Sequence, residues 1–259
     1  MPGSARIHAK HHKRVYKEHF ESERITFNIA RFQPEVQPAG FFQSFHVHAH
    51  SGQTVLDCLE EIKQGQDSTL TFKRNCSNGV CGGCGMKVNG KAWLACTVQA
   101  LEAARENKGA LSLEPLSGRL VVRDLAVNEH SFMNTFFKGV PFLVPRKDEE
   151  KRAHRMTPRE WKALGKSPTC ILCMVCDSNA GALYMEGHLN PAAAVKAYRY
   201  QLDARDAGKA ERLNALAREG LLGIEWDLNA ANSCPRGIFP GQKTRALQRM
   251  AHRKGIKKV

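Results

Sequence analysis

The sequence predicts an α+β fold in which a small, strand-rich unit precedes a helical one. Three observations carry that prediction. Two-residue apolar alternation is concentrated in the first half of the chain, and helices opened by Thr-Pro or Asn-Pro lie in the second. Eight of the nine cysteines divide between the same two halves. At roughly 100–200 residues per domain, 259 residues suit one large domain or two modest ones.

Each element has a local reason. Residues 1–23 are basic and histidine-rich without an apolar period, and are expected to form a tail; His8, His11 and His12 could bind a metal weakly there. Arg24 to Phe32 alternates Ile25, Phe27 and Ile29 on one face, a strand signal. The segment QPEVQPAG reads as a break, and Phe45, Val47 and Ala49 begin a second alternation. Thr54 starts a helix that places Val55, Leu59 and Ile62 on one face and ends at Gly65. Short strands are expected at Thr69–Phe72, Met86–Val88, Leu111–Leu113 and Leu120–Val122. Beyond Asn128 the pattern becomes helical. Thr157-Pro158-Arg159-Glu160 is a capping box with proline at the first helical position. Asn190-Pro191 opens a second such helix, AAAVKAYRYQLDAR, which runs to Arg205; a third runs from Ala210 to Glu219, and the last begins near Gln242. The boundaries expected are therefore a tail over 1–23, a mixed unit over 24–128 and a helical unit over 129–259.

No run of about 18 apolar residues occurs, so no membrane-spanning helix is expected. The N-terminus lacks an apolar signal region, so export is not expected. Without export, cysteines serve as ligands more readily than as disulfides, and an odd number cannot all pair.

Cys76, Cys81, Cys84 and Cys96 follow the C-x4-C-x2-C…C spacing of plant-type [2Fe–2S] proteins. Such a loop must wrap a small cluster with its thiolates pointing inward. Gly79, Gly82, Gly83 and Gly85 let the backbone take positive φ and bring its N–H groups close. The alternative is a structural zinc site, which usually presents paired knuckles rather than three cysteines on one glycine-rich loop.

Cys170, Cys173 and Cys176 form C-x2-C-x2-C, the front of the bacterial ferredoxin run. Three thiols in one turn grip one face of a [4Fe–4S] cube, and Cys234-Pro235 is the remaining downstream candidate for its open corner. The place of the run's own fourth cysteine holds Ala180, which points to one cluster in the helical unit. Zinc is again the alternative. Cys58 lies inside the first helix without partner spacing and reads as a small buried hydrophobe.

With both motifs placed, the chain resembles the iron–sulfur subunit of the succinate dehydrogenase/fumarate reductase family. The resemblance runs from about Ile25 to the C-terminus. It is strongest in LTFKRNCSNGVCGGCGMKVNGKAWLAC, LEPLSGRLVVRDLAVNEHSF, and SPTCILCMVC with SCPRG downstream. It implies a β-grasp ferredoxin domain followed by an all-α bacterial-ferredoxin-like domain. It also implies an electron-transfer subunit with no catalytic residue of its own, working between a FAD-containing flavoprotein and a membrane quinone.

Membrane-anchor subunits are implied partners. The implied location is peripheral, on the cytoplasmic face of the inner membrane. The family usually carries a third cluster, [3Fe–4S], whose three cysteine places hold Ala180, Ile224 and Ala230 here. A third cluster is therefore not expected. The family's tryptophan pair beside the quinone falls near Tyr184-Met185, and its histidine at Glu225. Either the acceptor approaches the [4Fe–4S] cluster directly or a partner subunit supplies a relay.

Lys and Arg total 39 against 25 Asp and Glu, a net +14 that suits acidic partners. The C-terminal KTRALQRMAHRKGIKK could dock at a membrane surface or form a solvated helix face. Trp93, Trp161 and Trp226 read as core or interface aromatics, and no nucleic-acid motif accompanies the charge. Two other functions fit less well: a wire between another flavoprotein and a soluble partner, and a nucleic-acid binder with structural metal sites.

Overall fold

The computed structural model describes residues 22–145, 155–181, 189–224 and 232–257. Strand β1 (Ser22–Gln33) carries the predicted alternation and pairs antiparallel with β2 (Gln37–His50), Ile25 opposite Val47 and Phe27 opposite Phe45. The expected break over 33–40 shrinks to a turn at residues 34–36. Pro38 and Gly40 lie within β2, an edge strand, where proline's missing N–H costs no ladder bond. The expected tail lies outside the described residues, except that Ser22 and Glu23 already belong to β1.

Helix α1 (Val55–Gly65) starts at a reciprocal capping box between Thr54 and Asp57 and buries Val55, Leu56, Cys58, Leu59 and Ile62. Strands β3 (Gly85–Val88) and β4 (Lys91–Leu94) form a hairpin, α2 spans Ala100–Arg105, and β5 (Ala110–Glu114) follows. The five strands lie in the order β2-β1-β5-β3-β4, with β1 and β5 parallel and the other neighbours antiparallel. The expected strand at Leu120–Val122 is displaced to β6 (Val121–Arg123), which pairs with β7 (Ala126–Val127) outside the main sheet.

The strand expected at Thr69–Phe72 does not form. Its backbone is tied elsewhere: the Thr71 N–H donates to Asp124 Oδ2 at 2.8 Å, and the Thr71 carbonyl accepts from Leu125 N at 3.1 Å. Asp124 also accepts from Phe32 N and from Arg31 Nε, both at 3.0 Å. Arg31 follows Ile25, Phe27 and Ile29 on the inward face of β1 and is 1% exposed. Its guanidinium also reaches Asp67 at 2.7 Å and Thr69 at 2.9 Å, and it contacts Gln43. This buried network ties the sheet to the segment leading to the first cysteine loop.

Burial alone would raise the pKa of Asp67, but hydrogen bonds from Thr69 and Arg31 outweigh it and hold the carboxyl at about 2. A depressed pKa stabilises the fold above the unfolded carboxyl's range, and that contribution is lost as pH falls through about 2. D67N is therefore expected to be less stable than the parent chain at pH 7, with the two unfolding midpoints converging toward pH 2. A gap that stays constant across that window would remove this account of Asp67.

The helical part begins with α3 (His130–Lys138), followed by α4 (Pro158–Leu164), which opens at the predicted Thr157–Glu160 box. The short α5 (Val175–Asn179) precedes α6 (Pro191–Leu202), which Asn190 caps by accepting from Ala193 N. The run expected to continue through Arg205 stops at Leu202, where Asp203 turns extended and accepts from Arg205. Helices α7 (Lys209–Arg218) and α8 (Pro240–Arg253) complete the element order. Arg212 pairs with Asp206 at 2.8 Å, both fully buried, and donates to the carbonyls of Val140 and Phe142, fixing the chain that follows α3. One core runs continuously from Ile25, Phe27 and Leu59 to Phe132, Val175, Ala193 and Leu247. Trp93 packs partly against it. Trp161 is 58% exposed and so is not a core residue, and Trp226 lies outside the described residues.

Candidate iron–sulfur sites

The first site is a loop between α1 and β3, joined by Cys96 in the turn after β4. Ser77, Gly79 and Gly82 take positive φ, which turns successive N–H groups toward the cysteine sulfurs. Asn78 N, Cys81 N and Val80 N lie 3.5, 3.2 and 3.4 Å from Cys76 Sγ. Gly79 N lies 3.2 Å from Cys96 Sγ, and Gly83 N lies 3.4 Å from Cys81 Sγ. The amides of Asn78 and Cys81 lower the Cys76 pKa to about 6, so its thiolate is stabilised. Cys84 is buried, and desolvation pushes its pKa up to about 12. Cys76 is thus prepared for negative charge, whereas Cys84 needs a cation beside it to ionise.

The second site joins residues far apart in sequence. Cys170, Cys173, Cys176 and Cys234 line one small cavity, walled by Ile171, Leu172, Val195 and Ile238. Leu172 and Met174 take positive φ, an uncommon conformation for such side chains and one found where a loop must re-aim its neighbours. Burial raises the pKa of Cys170, takes Cys173 to about 12 and puts Cys176 well above its ordinary value. Cys170, Cys173 and Cys176, held in this apolar space, will not ionise without a cationic group beside them, so the donor set suits an iron–sulfur cube. Among the described residues, no three His, Cys, Asp or Glu side chains form a group that could hold a single metal ion. The ninth cysteine, Cys58, is fully buried in α1 with its pKa raised to about 12 by burial, as befits an inert core residue.

The two loops touch. Gly82 is buried, and a β-carbon placed there would lie 2.9 Å from Cys173 Cβ and 3.0 Å from the Ile171 carbonyl oxygen. The contact is held from the side by α5. Asn179 accepts from Ala92 N at 2.9 Å and donates to the Ala92 carbonyl at 3.0 Å, and Ser178 Oγ accepts from Ser117 N at 2.8 Å. These residues carry no recognisable signal in sequence, since polar serine and asparagine after a cysteine read as loop.

Of the places where the family's further cysteines would fall, Ala180 follows α5, and Ile224 packs partly buried against the core. Ala230, Tyr184, Met185 and Glu225 lie outside the described residues. No helix among the described residues is long and apolar enough to cross a membrane.

Residues 26–134 match the family model of a 2Fe-2S iron–sulfur cluster binding domain. It is 34% identical over 242 residues to the fumarate reductase iron–sulfur subunit of Mycobacterium tuberculosis (strain CDC 1551 / Oshkosh), covering 92% of this chain and 96% of that one. It is 31% identical to the succinate dehydrogenase iron–sulfur subunit of Paracoccus denitrificans, covering 86% of each. The chain belongs to the iron–sulfur subunit family of succinate dehydrogenase and fumarate reductase. A chain of the Mycobacterium smegmatis Sdh1 complex in the apo form shares its fold, with a TM-score of 0.79, 20% identity and coverage of 92% of this chain and 100% of that one.

Proposed function

We propose that this chain is the electron wire of a succinate dehydrogenase or fumarate reductase complex. It connects a FAD-containing flavoprotein with a membrane quinone or a relay bound in an anchor subunit. Cys76, Cys81, Cys84 and Cys96 hold a [2Fe–2S] cluster in a β-grasp domain spanning 24–128. Cys170, Cys173, Cys176 and Cys234 hold a [4Fe–4S] cluster in a bacterial-ferredoxin-like helical domain spanning 129–259. When bound, such clusters supply single-electron exchange without bond chemistry. The subunit works at the cytoplasmic face of the inner membrane.

The observation that carries this reading is the contact between Gly82 and Cys173, because a wire requires its two redox groups to lie close together. The four thiols of the second set converge on one cavity, which brings the remote Cys234 to the three clustered cysteines as a four-thiolate cluster requires. Amides around Cys76 and Cys96 stabilise thiolate charge and tune the site. Ala180 and Ile224 offer no ligand, which supports a wire without the usual [3Fe–4S] cluster.

Iron and acid-labile sulfide, measured on anaerobically purified protein, are expected to match one [2Fe–2S] and one [4Fe–4S] per chain. EPR after dithionite should show both reduced clusters, with no oxidised [3Fe–4S] signal before it. A [3Fe–4S] signal with correspondingly more iron would refute the two-cluster assignment. Zinc in place of iron would refute the wire.

A further inference from the structure

The helix that presents Cys176 is gripped on its next three residues by the strand-bearing part. Ser178 and Asn179 make neutral hydrogen bonds there, sufficient for docking. Asp177 instead makes an ion pair with Arg119, and both side chains are nearly inaccessible, 4% exposed for Arg119 and 3% for Asp177. Burying two charges carries a desolvation penalty of several kcal/mol per ion, so docking alone does not explain the pair. Its partners are also incomplete: Arg119 Nε and Asp177 Oδ1 are buried without hydrogen bonds. Arg119 lies over the Phe132 ring at 5.5 Å and donates to its neighbour's carbonyl, that of Gly118, at 2.8 Å.

We infer that Arg119, contributed by the strand-bearing part, sets the reduction potential of the cluster held by Cys170, Cys173, Cys176 and Cys234, with Asp177 moderating its charge. The inference rests on the two-cluster reading above. Adding an electron to a group enclosed by four buried thiolates adds negative charge to an apolar cavity. A fixed cation paired with Asp177, the residue that follows Cys176, favours that reduced state. The neighbouring carboxylate opposes it, so the pair fixes the potential through the difference between the two. Arg119 is thus a positioning and tuning residue in one part of the chain that acts on the redox group of the other.

The test is an EPR-monitored redox titration of the full chain in its complex, with both clusters present. R119Q is expected to lower the [4Fe–4S] midpoint by about 60 mV or more, a tenfold shift for a one-electron couple, while leaving the [2Fe–2S] midpoint in place. D177N is expected to raise the same midpoint, and R119Q/D177N to return it toward the parent value. A structural role would alter stability or iron content without this pattern of opposite shifts. Should R119Q fail to retain iron, D177N reads the same charge balance from the other side. An unshifted [4Fe–4S] midpoint in either cluster-bearing single variant overturns the role of Arg119. A parent protein with no reduced [4Fe–4S] signal would refute the two-cluster reading instead, so the two failures are distinguishable.

Discussion

Gly82→Ala is expected to separate the two cysteine loops and to cost roughly 2–5 kcal/mol, combining the left-handed penalty with overpacking. Gly82 has φ +77°, which an L side chain adopts only under strain. The added carbon would meet Cys173 Cβ, the Ile171 carbonyl and Cys173 Cα at 2.9, 3.0 and 3.1 Å. Two of those three atoms are backbone and the third is fixed to it, so relief requires the whole Cys170–Cys176 turn to move. Iron bound by the second site should fall together with the unfolding free energy. Gly83→Ala provides the control, because a carbon there meets only Cys81 Sγ, at 3.6 Å. If G82A matched the parent in both iron content and denaturant midpoint while G83A did also, the loops would not be packed as described.

The second large effect is expected at Arg31. R31M removes the cation facing Asp124, which is fully buried, and breaking a buried pair from one side costs about 3–5 kcal/mol. The amides of Phe32 and Thr71 would remain on the carboxylate, so R31M/D124N is expected to recover part of the loss by removing the stranded charge. Urea unfolding of the single and double variants measures this directly. A loss below about 1 kcal/mol for R31M would place the network among exposed ion pairs of little weight. The consequence reaches the first site, because Asp67, Thr69 and Thr71 anchor the chain just before Cys76.

These two positions illustrate how unevenly the chain could be read. Cysteine spacing exposed seven of the eight candidate ligands, since a cluster constrains the intervals of its motif, whereas Cys234 stood out only as the remaining downstream cysteine. Capping boxes at Thr54 and Thr157 were equally legible, because the groups that satisfy a helix N-terminus lie within three residues of it. The turn at residues 34–36 was narrower than its proline and glycine content indicated, because an edge strand tolerates both. Thr69–Phe72 read as a strand by composition, yet its amide and carbonyl are claimed by Asp124 and Leu125.

By itself, then, the sequence determined what depends on neighbours along the chain: the inward face of β1, the helix starts, the two cysteine motifs and the family they resemble. Only the tertiary structure decided which distant groups meet. It turned Arg31 from a surface-type residue into a buried cation and set Cys234 beside three thiols some sixty residues earlier. It also pressed Gly82 against Cys173 and paired Arg119 with Asp177, the residue after Cys176. Such contacts close long loops, and their partners need only complementary shape and charge where the chain returns, so no local pattern records them.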